Sequence, residues 1–211
     1  MFYFWWKHLL SDPKESMYET DFKDAYFWMA AANIVFNPLF WNIVARWEYR
    51  TKGFSKAIGS SRVACIMLAV TIVLLGILRD WLFGKAVQAQ PRWLPFQDSR
   101  ILLAGYAIIS IGCVLVISSF LSLGIFGTFL GDYFGILMKE RVTGFPFNIV
   151  DNPMYLGATL NFLGYAVTEA SLVGFLLTFL VGVVYKIAIL FEGDFTDKIY
   201  QERVQMSRKE V

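Results

Sequence analysis

The residues of this chain that could take part in chemistry are concentrated between Gly127 and Gly193. They occur in three strings that apolar segments separate. The strings are Gly127-Thr-Phe-Leu-Gly-Asp-Tyr-Phe-Gly135, Asp151-Asn-Pro-Met-Tyr-Leu-Gly157 and Phe191-Glu-Gly-Asp-Phe195. Lipid offers no hydrogen-bond partners, so these polar groups must be satisfied inside the protein or in a water-filled cavity. We therefore predict that residues 127–193 form the core of a binding site.

The second string is typical of a helix start. Asn152 is predicted to cap the free amides, with Asp151 as a second cap, and Pro153 suits the first helical turn, where its missing N–H costs nothing. One interpretation is a membrane helix cap and nothing more. The other is that a helix N-terminus inside a cavity binds an anion or a carboxylate, which would place Tyr155 and Gly157 beside the ligand.

Acidic and aromatic residues in the other two strings could recognise a cation. Glu192 follows a long apolar run, so it is either a charge at the membrane surface or the partner of an ammonium or sulfonium group. Asp132 presents the same two alternatives. The aromatic rings of Tyr133, Phe134 and Tyr155 could stabilise a quaternary ammonium by cation–π contacts worth about 0.5–2 kcal/mol each.

Several other kinds of site are disfavoured by composition. His8 is the only histidine, which argues against a zinc centre or a Ser-His-Asp triad, and no metal is expected. Cys65 and Cys113 lie in apolar runs, where buried free thiols are expected. A net charge of +2 gives no reason to expect nucleic acid as a partner.

The elements that carry these residues are predicted to lie in a membrane. Hydrophobic residues make up 57% of the 211 residues and charged residues only 17%, against about 25% in soluble domains. We predict an integral membrane protein whose single domain spans residues 1–211. Residues 1–24 mix aromatic and acidic side chains and are predicted to lie at the membrane interface.

The first apolar segment, Ala25–Ala45, is long enough to span a bilayer, but polar residues interrupt it. Asn33, Asn37 and Asn42 lie within it, and Pro38 predicts a break. We therefore expect a re-entrant or interfacial helix pair here.

Three to five further membrane helices are predicted. Residues 63–78 form one span, with Arg62 and Arg79 extending from its ends to the lipid headgroups. Residues 101–131 would make a helix about 46 Å long, which exceeds the ~30 Å hydrocarbon core and predicts a break near Gly124 or Gly127. Residues 152–168 and 170–185 predict a C-terminal helical hairpin. The fold class is thus an all-α integral membrane protein.

Glycines between Gly112 and Gly135 form a small-residue face along the long segment. Such a face lets membrane helices pack closely, or lets backbone approach a ligand. Both interpretations apply to Ser110-Ile111-Gly112.

Three longer strings resemble the phosphatidylethanolamine N-methyltransferase family. The first is Phe36-Asn-Pro-Leu-Phe-Trp-Asn-Ile-Val-Ala-Arg-Trp-Glu48, the second is Gly127-Thr-Phe-Leu-Gly-Asp-Tyr-Phe-Gly-Ile-Leu137, and the third is Phe145-Pro-Phe-Asn-Ile-Val-Asp-Asn-Pro-Met-Tyr155. They occur in the family's order, and the similarity extends from about Asn33 to Val204.

The resemblance implies transfer of three methyl groups from S-adenosylmethionine to the phosphatidylethanolamine headgroup, in a multi-pass endoplasmic reticulum membrane protein that also reaches mitochondrial contact regions. The family's Gly-x-Gly and Glu-Glu cofactor motifs correspond here to Ser110-Ile111-Gly112 and Glu192-Gly193, so each is half matched. A methyl sulfonium needs no metal or covalent intermediate; it needs a neutral amine held in line in a dry site.

Two alternatives remain. Isoprenylcysteine carboxyl methyltransferases share a Pro-x-Tyr-x-Gly string, here Pro153 to Gly157, and a later Glu. The string from Asn37 to Trp41 argues against that group. The other alternative is a non-catalytic membrane scaffold or channel subunit.

Overall fold

The computed structural model of the chain describes residues 21–93, 97–138 and 140–209. Within these ranges all regular structure is helical, as predicted, and it consists of six α-helices and one short 3-10 helix. They are α1 (Ala25–Thr51), α2 (Gly53–Ile58), α3 (Ser61–Gln88), α4 (Ser99–Thr128), the 3-10 helix (Gly131–Phe134), α5 (Pro153–Thr168) and α6 (Leu172–Lys209). Of the segment 1–24 that was predicted to be interfacial, residues 1–20 lie outside the described residues.

Four stretches of the described chain are long and apolar enough to cross a membrane. They are α1, α3, the stretch Ser99–Phe134, and α6 as far as Gln201. The fifth long helix, α5, has only 16 residues. It lies along α4, and these two helices form the most extensive helix–helix contact among the described residues. The predicted class and number of membrane helices are confirmed.

Helix α1 is continuous through Pro38, so the predicted break and re-entrant pair are wrong. The polar residues that suggested a break make tertiary and backbone contacts instead. The Asn37 side chain donates to the Leu75 carbonyl of α3 at 3.1 Å, and the Asn42 side chain donates to the Pro38 carbonyl at 3.0 Å. These asparagines are therefore compatible with a continuous helix.

Arg79 does not end a membrane span, contrary to the sequence interpretation. Helix α3 continues to Gln88, and the Arg79 side chain is only 15% exposed. Its guanidinium pairs with Asp80 at 2.9 Å, donates to the Tyr185 hydroxyl, and lies 4.8 Å from the centre of the Phe162 ring. Arg79 therefore belongs to the interior, between α3, α5 and α6.

The long segment 101–131 breaks where the sequence predicted. Gly124 has φ 62° and ψ −173°, a conformation available to glycine, and α4 ends at Thr128. Left-handed residues, Leu130 and Gly135, then flank the 3-10 helix. This reversal returns Asp132 and Tyr133 toward α1 and α6.

Helices α4 and α5 approach each other through pairs of glycines. A Cβ atom added to Gly112 would lie 2.7 Å from the Gly157 carbonyl oxygen, and one added to Gly105 would lie 3.1 Å from the Gly164 carbonyl oxygen. A Cβ atom does not fit at the first distance and is crowded at the second, so Gly112 permits the close packing of α4 on α5.

The predicted hairpin is formed by α5 and α6. Pro153 occupies the first turn of α5, as predicted, but the Asn152 side chain makes no capping hydrogen bond and Asp151 is exposed. Helix α6 then runs well beyond Tyr185, to Lys209. Glu192 therefore lies inside a helix and not at its end.

Two buried clusters hold the helices together. The larger one joins α1, α3, α5 and α6 around Phe83, Phe162 and Leu177. The smaller one joins α1, α3 and the 3-10 helix around Cys65, Tyr133 and Phe134. The polar residues described next lie where α1, the 3-10 helix, α5 and α6 meet.

Candidate functional site

The Glu192 carboxylate is the centre of a hydrogen-bond cluster that joins three helices. Its Oε1 accepts from the Trp41 indole N–H at 2.8 Å and from the Asn42 side-chain amide at 2.9 Å. Its Oε2 accepts from the Tyr155 hydroxyl at 2.7 Å. All three donors are neutral, so they fix the carboxylate's orientation without supplying a counter-charge.

Tyr155 is held in place by its own helix and by α6. It is the third residue of α5, so the proline-started first turn brings its hydroxyl to Glu192. Its ring contacts the Tyr185 ring edge to face, with the ring centres 4.9 Å apart. Tyr185 lies seven residues before Glu192 and therefore on the same face of α6. Arg79, which donates to the Tyr185 hydroxyl, supports this arrangement from α3.

Arg46 lies on the other side of Glu192 but is not bonded to it. Its guanidinium donates to the Phe191 carbonyl at 2.8 Å and lies 5.7 Å and 5.5 Å from the ring centres of Phe191 and Phe195. Among the described residues no salt bridge involves Glu192. The described residues thus give the Glu192 carboxylate hydrogen-bond donors but no cationic partner.

A second carboxylate, that of Asp132, lies against the next turn of α6. Its Oδ2 accepts from the Thr196 hydroxyl at 3.0 Å, and its Oδ1 accepts from the Tyr133 backbone N–H at 3.1 Å. Thr196 follows Glu192 by four residues, so both carboxylates face the same side of α6. The Tyr133 ring stacks on the Phe195 ring between them, with centres 4.0 Å apart.

Two buried polar atoms in this region have no partner among the described residues. They are the Tyr133 hydroxyl and the Asn42 side-chain oxygen. The Tyr133 side chain is 0% exposed, and its hydroxyl lies within the electrostatic influence of Asp132, Glu192 and Arg46. A buried polar group without a partner costs about 1–3 kcal/mol, which a polar ligand would recover. The arrangement is therefore suited to a ligand that is cationic and offers hydrogen bonds.

Comparison with known proteins identifies the family. The sequence profile described as phospholipid methyltransferase matches residues 101–203. Human phosphatidylethanolamine N-methyltransferase is 50% identical over 186 residues, which cover 88% of this chain and 94% of the human protein. The chain belongs to the phospholipid methyltransferase family. Phosphatidyl-N-methylethanolamine N-methyltransferase of Saccharomyces cerevisiae is 45% identical over 190 residues, 90% of this chain and 92% of the yeast protein. No solved structure matches the chain.

Some of the site residues predicted for this phospholipid methyltransferase come together in the structure. Tyr155 and Glu192 are directly bonded, and Asp132 and Tyr133 lie one helical turn away. Phe134 belongs to the smaller buried cluster together with Tyr133, and its ring centre lies 6.5 Å from that of Phe54.

Other predicted residues do not line the cluster around Glu192. Ser110 and Ile111 are exposed, and the Ser110 hydroxyl donates to its own helix at the Tyr106 carbonyl. Gly193 is also exposed, and a Cβ atom there would meet nothing within 4 Å. Gly112, from the first predicted cofactor motif, is buried against α5. Glu192, from the second, bonds to Tyr155 in the interior.

At the start of α5 the predicted residues have structural roles. Pro153 is fully buried in the first turn, and Asn152 leads into it without capping it. Gly157 contacts the backbone of Gly112, so the helix packs on α4 at this position.

Sequence reasoning missed every contribution from α1. We expected a pocket built from the C-terminal half, whereas Trp41, Asn42 and Arg46 surround Glu192. The signal was present: Asn42 is a polar residue at membrane depth and belongs to the first family string. It was interpreted as an interruption of the helix. Thr196 was missed because α6 was expected to end near Glu192.

Proposed function

We propose that this protein methylates the nitrogen of the phosphatidylethanolamine headgroup, and of its mono- and dimethyl derivatives, to give phosphatidylcholine. The observation that carries the proposal is identity of about 50% over most of the chain to relatives named for this chemistry. Relatives from Homo sapiens and Dictyostelium discoideum are named for phosphatidylethanolamine. Fungal relatives at similar identity are named for phosphatidyl-N-methylethanolamine. The proposal therefore covers all three methylations.

The methyl donor implied by the family is S-adenosylmethionine, which supplies a methyl group on a cationic sulfonium. Glu192 is the residue we assign to its ammonium group. A carboxylate held by three neutral donors is fixed in orientation and suits a cationic neighbour. The first turn of α5, which carries Tyr155, offers backbone N–H groups for the donor's carboxylate.

The lipid approaches from the bilayer along α1. A groove of about 490 Å³ runs between α1 and α6, and its lining is apolar. The lining residues are Trp28, Ala31, Ala32, Val35, Phe36, Leu39 and Leu180. Asn42 and Arg46 continue the stripe of Val35 and Leu39 at spacings of three and four residues, so an acyl chain in the groove places its headgroup beside Glu192.

We place the protein in the endoplasmic reticulum as a multi-pass membrane protein, in accordance with the family it resembles and with its four candidate spans. Fractionation of cells that express a tagged chain tests the compartment. Recovery in another membrane fraction would contradict it.

The function is tested in membranes from a host that lacks its own phospholipid methyltransferase. The membranes are incubated with methyl-labelled S-adenosylmethionine, and the mono-, di- and trimethylated lipids are separated. We expect label in all three, and supplying each intermediate in turn measures each step. Absence of label from every lipid would refute the proposal, and label in a prenylcysteine methyl ester would favour the carboxyl methyltransferases instead.

A further inference from the structure

The proposed reaction needs a group that takes a proton from the lipid. An alkyl ammonium such as that of lysine has a pKa of about 10.4, so near pH 7.4 only about one amine in a thousand is neutral. Only the neutral amine has the lone pair that attacks a methyl group. A carboxylate placed at the substrate nitrogen would hold the ammonium and give its proton an acceptor inside the site as the nitrogen attacks.

We propose that Asp132 binds the substrate ammonium and accepts its proton. This inference rests on the proposed function and assigns Asp132 and Glu192 to different reactants. Glu192 accepts hydrogen bonds from three side chains, whereas among the described residues Asp132 accepts from one side chain, Thr196, and from the backbone N–H groups of Tyr133 and of Asp132 itself. A carboxylate has about four acceptor positions, so Asp132 retains room for an ammonium N–H group.

A second observation points to a ligand at the same place. The Tyr133 hydroxyl is completely buried, has no partner among the described residues, and lies within the electrostatic influence of both carboxylates. A substrate nitrogen or its phosphate ester oxygen would give that hydroxyl a partner.

The charged and titratable groups around Asp132 are compatible with this role. Lys52, which follows α1, donates to the Tyr133 carbonyl at 3.1 Å. Arg46 of α1 interacts electrostatically with the Tyr133 hydroxyl. From α3 the neighbour is the Cys65 thiol, and from α6 it is Glu192. Among the described residues none of these groups forms a salt bridge with Asp132.

The step balances as follows. The substrate ammonium transfers one proton to the Asp132 carboxylate and becomes an amine. The nitrogen lone pair then forms a bond to the methyl carbon, and the carbon–sulfur bond breaks with its electron pair remaining on sulfur. The products are the N-methylated ammonium and neutral S-adenosylhomocysteine, and the proton on Asp132 passes to water before the next cycle.

Asp132→Asn is the decisive variant, because asparagine keeps the size and an acceptor oxygen but takes no proton. We expect phosphatidylethanolamine methylation to fall at least about 100-fold. S-adenosylmethionine affinity, measured by calorimetry, should change less than threefold. Raising the pH from 7 to 9 should restore the variant's rate about tenfold per pH unit, as the neutral amine becomes more abundant. The wild-type rate should rise much less.

Two further variants make the test independent of a folding defect. Asp197→Asn changes an exposed carboxylate that pairs with Arg141 at the surface, and its activity should equal wild type. Thr196→Val removes one donor to Asp132 but keeps the carboxylate. It should lower the rate about 2- to 10-fold and move the acidic limb of the rate–pH profile to higher pH, since the ionised carboxylate loses a stabilising bond.

The proposal is overturned if wild type methylates lipid and Asp132→Asn does so equally well, or shows no recovery at high pH. It is also overturned if Asp132→Asn no longer binds S-adenosylmethionine and Thr196→Val leaves the rate–pH profile unchanged. A wild-type protein that labels no lipid refutes the proposed function itself.

Discussion

The sharpest test of the site is replacement of Glu192 by glutamine. Glutamine has nearly the same shape and keeps one side-chain oxygen for the N–H groups of Trp41 and Asn42. Its new amide group faces the Tyr155 oxygen, which can accept a hydrogen bond as well as donate one. The cluster should therefore survive, and the main change is loss of the negative charge.

The magnitude follows from the kind of bond that is lost. A hydrogen bond between charged groups contributes about 1.5–3 kcal/mol, against about 1 kcal/mol for a neutral pair. No described basic side chain neutralises Glu192, so the ammonium of S-adenosylmethionine is its expected counter-ion. We expect the dissociation constant for S-adenosylmethionine to rise roughly 10- to 150-fold. The apparent affinity for the lipid should barely change.

Calorimetry on purified Glu192→Gln measures this effect, and Asp197→Asn is the matched control. Asp197 lies on the same helix, its carboxylate is 54% exposed, and its partner is a surface arginine. The control should change the dissociation constant less than threefold. If Glu192→Gln binds S-adenosylmethionine as tightly as wild type, our assignment of this carboxylate is wrong even though the family membership stands.

Three further outcomes follow from other contacts. Gly157→Ala should lower the free energy of unfolding by about 1–3 kcal/mol, because its Cβ would lie 2.7 Å from the Gly112 carbonyl oxygen. Thermal unfolding in detergent tests this, and Gly193→Ala, whose Cβ would meet nothing within 4 Å, is the control. Arg79→Met should destabilise the protein by about 3 kcal/mol in the same assay, since it leaves the Asp80 carboxylate without its partner, and an unchanged midpoint would contradict this. Phosphoethanolamine, which has no acyl chain for the groove, should be methylated far more slowly than the lipid; equal rates of label transfer would argue against access from the bilayer.

Features that depend on neighbouring residues along the chain were predictable. The length of an apolar run determines whether a helix can span a membrane, and this anticipated α3 and the excessive length of residues 101–131. A break at Gly124 and a helix start at Pro153 follow from the conformations that glycine and proline allow. The α5–α6 hairpin followed from two such runs and a short polar turn.

Features that depend on contacts between distant segments were not predictable. Asn37 and Pro38 are typical of a helix interruption, but the Asn37 amide bonds to α3 and the helix continues. Arg79 resembles a residue at a membrane surface because it follows an apolar run, yet its partner Tyr185 is 106 positions away. Likewise, Trp41 approaches Glu192 across 151 positions.

Two carboxylates, Glu192 of α6 and Asp132 of the 3-10 helix, face the same side of α6. Under the proposed function the site must hold two cations together, a sulfonium donor and a lipid ammonium. Two unit charges 4 Å apart repel each other by about 4 kcal/mol at an effective dielectric constant of 20. Asp132 bonds to Thr196, which lies one turn of α6 after Glu192. Among the described residues, neither carboxylate is paired with a basic side chain. Two fixed anions offset that repulsion, whereas a single anion would leave the second cation without a counter-ion.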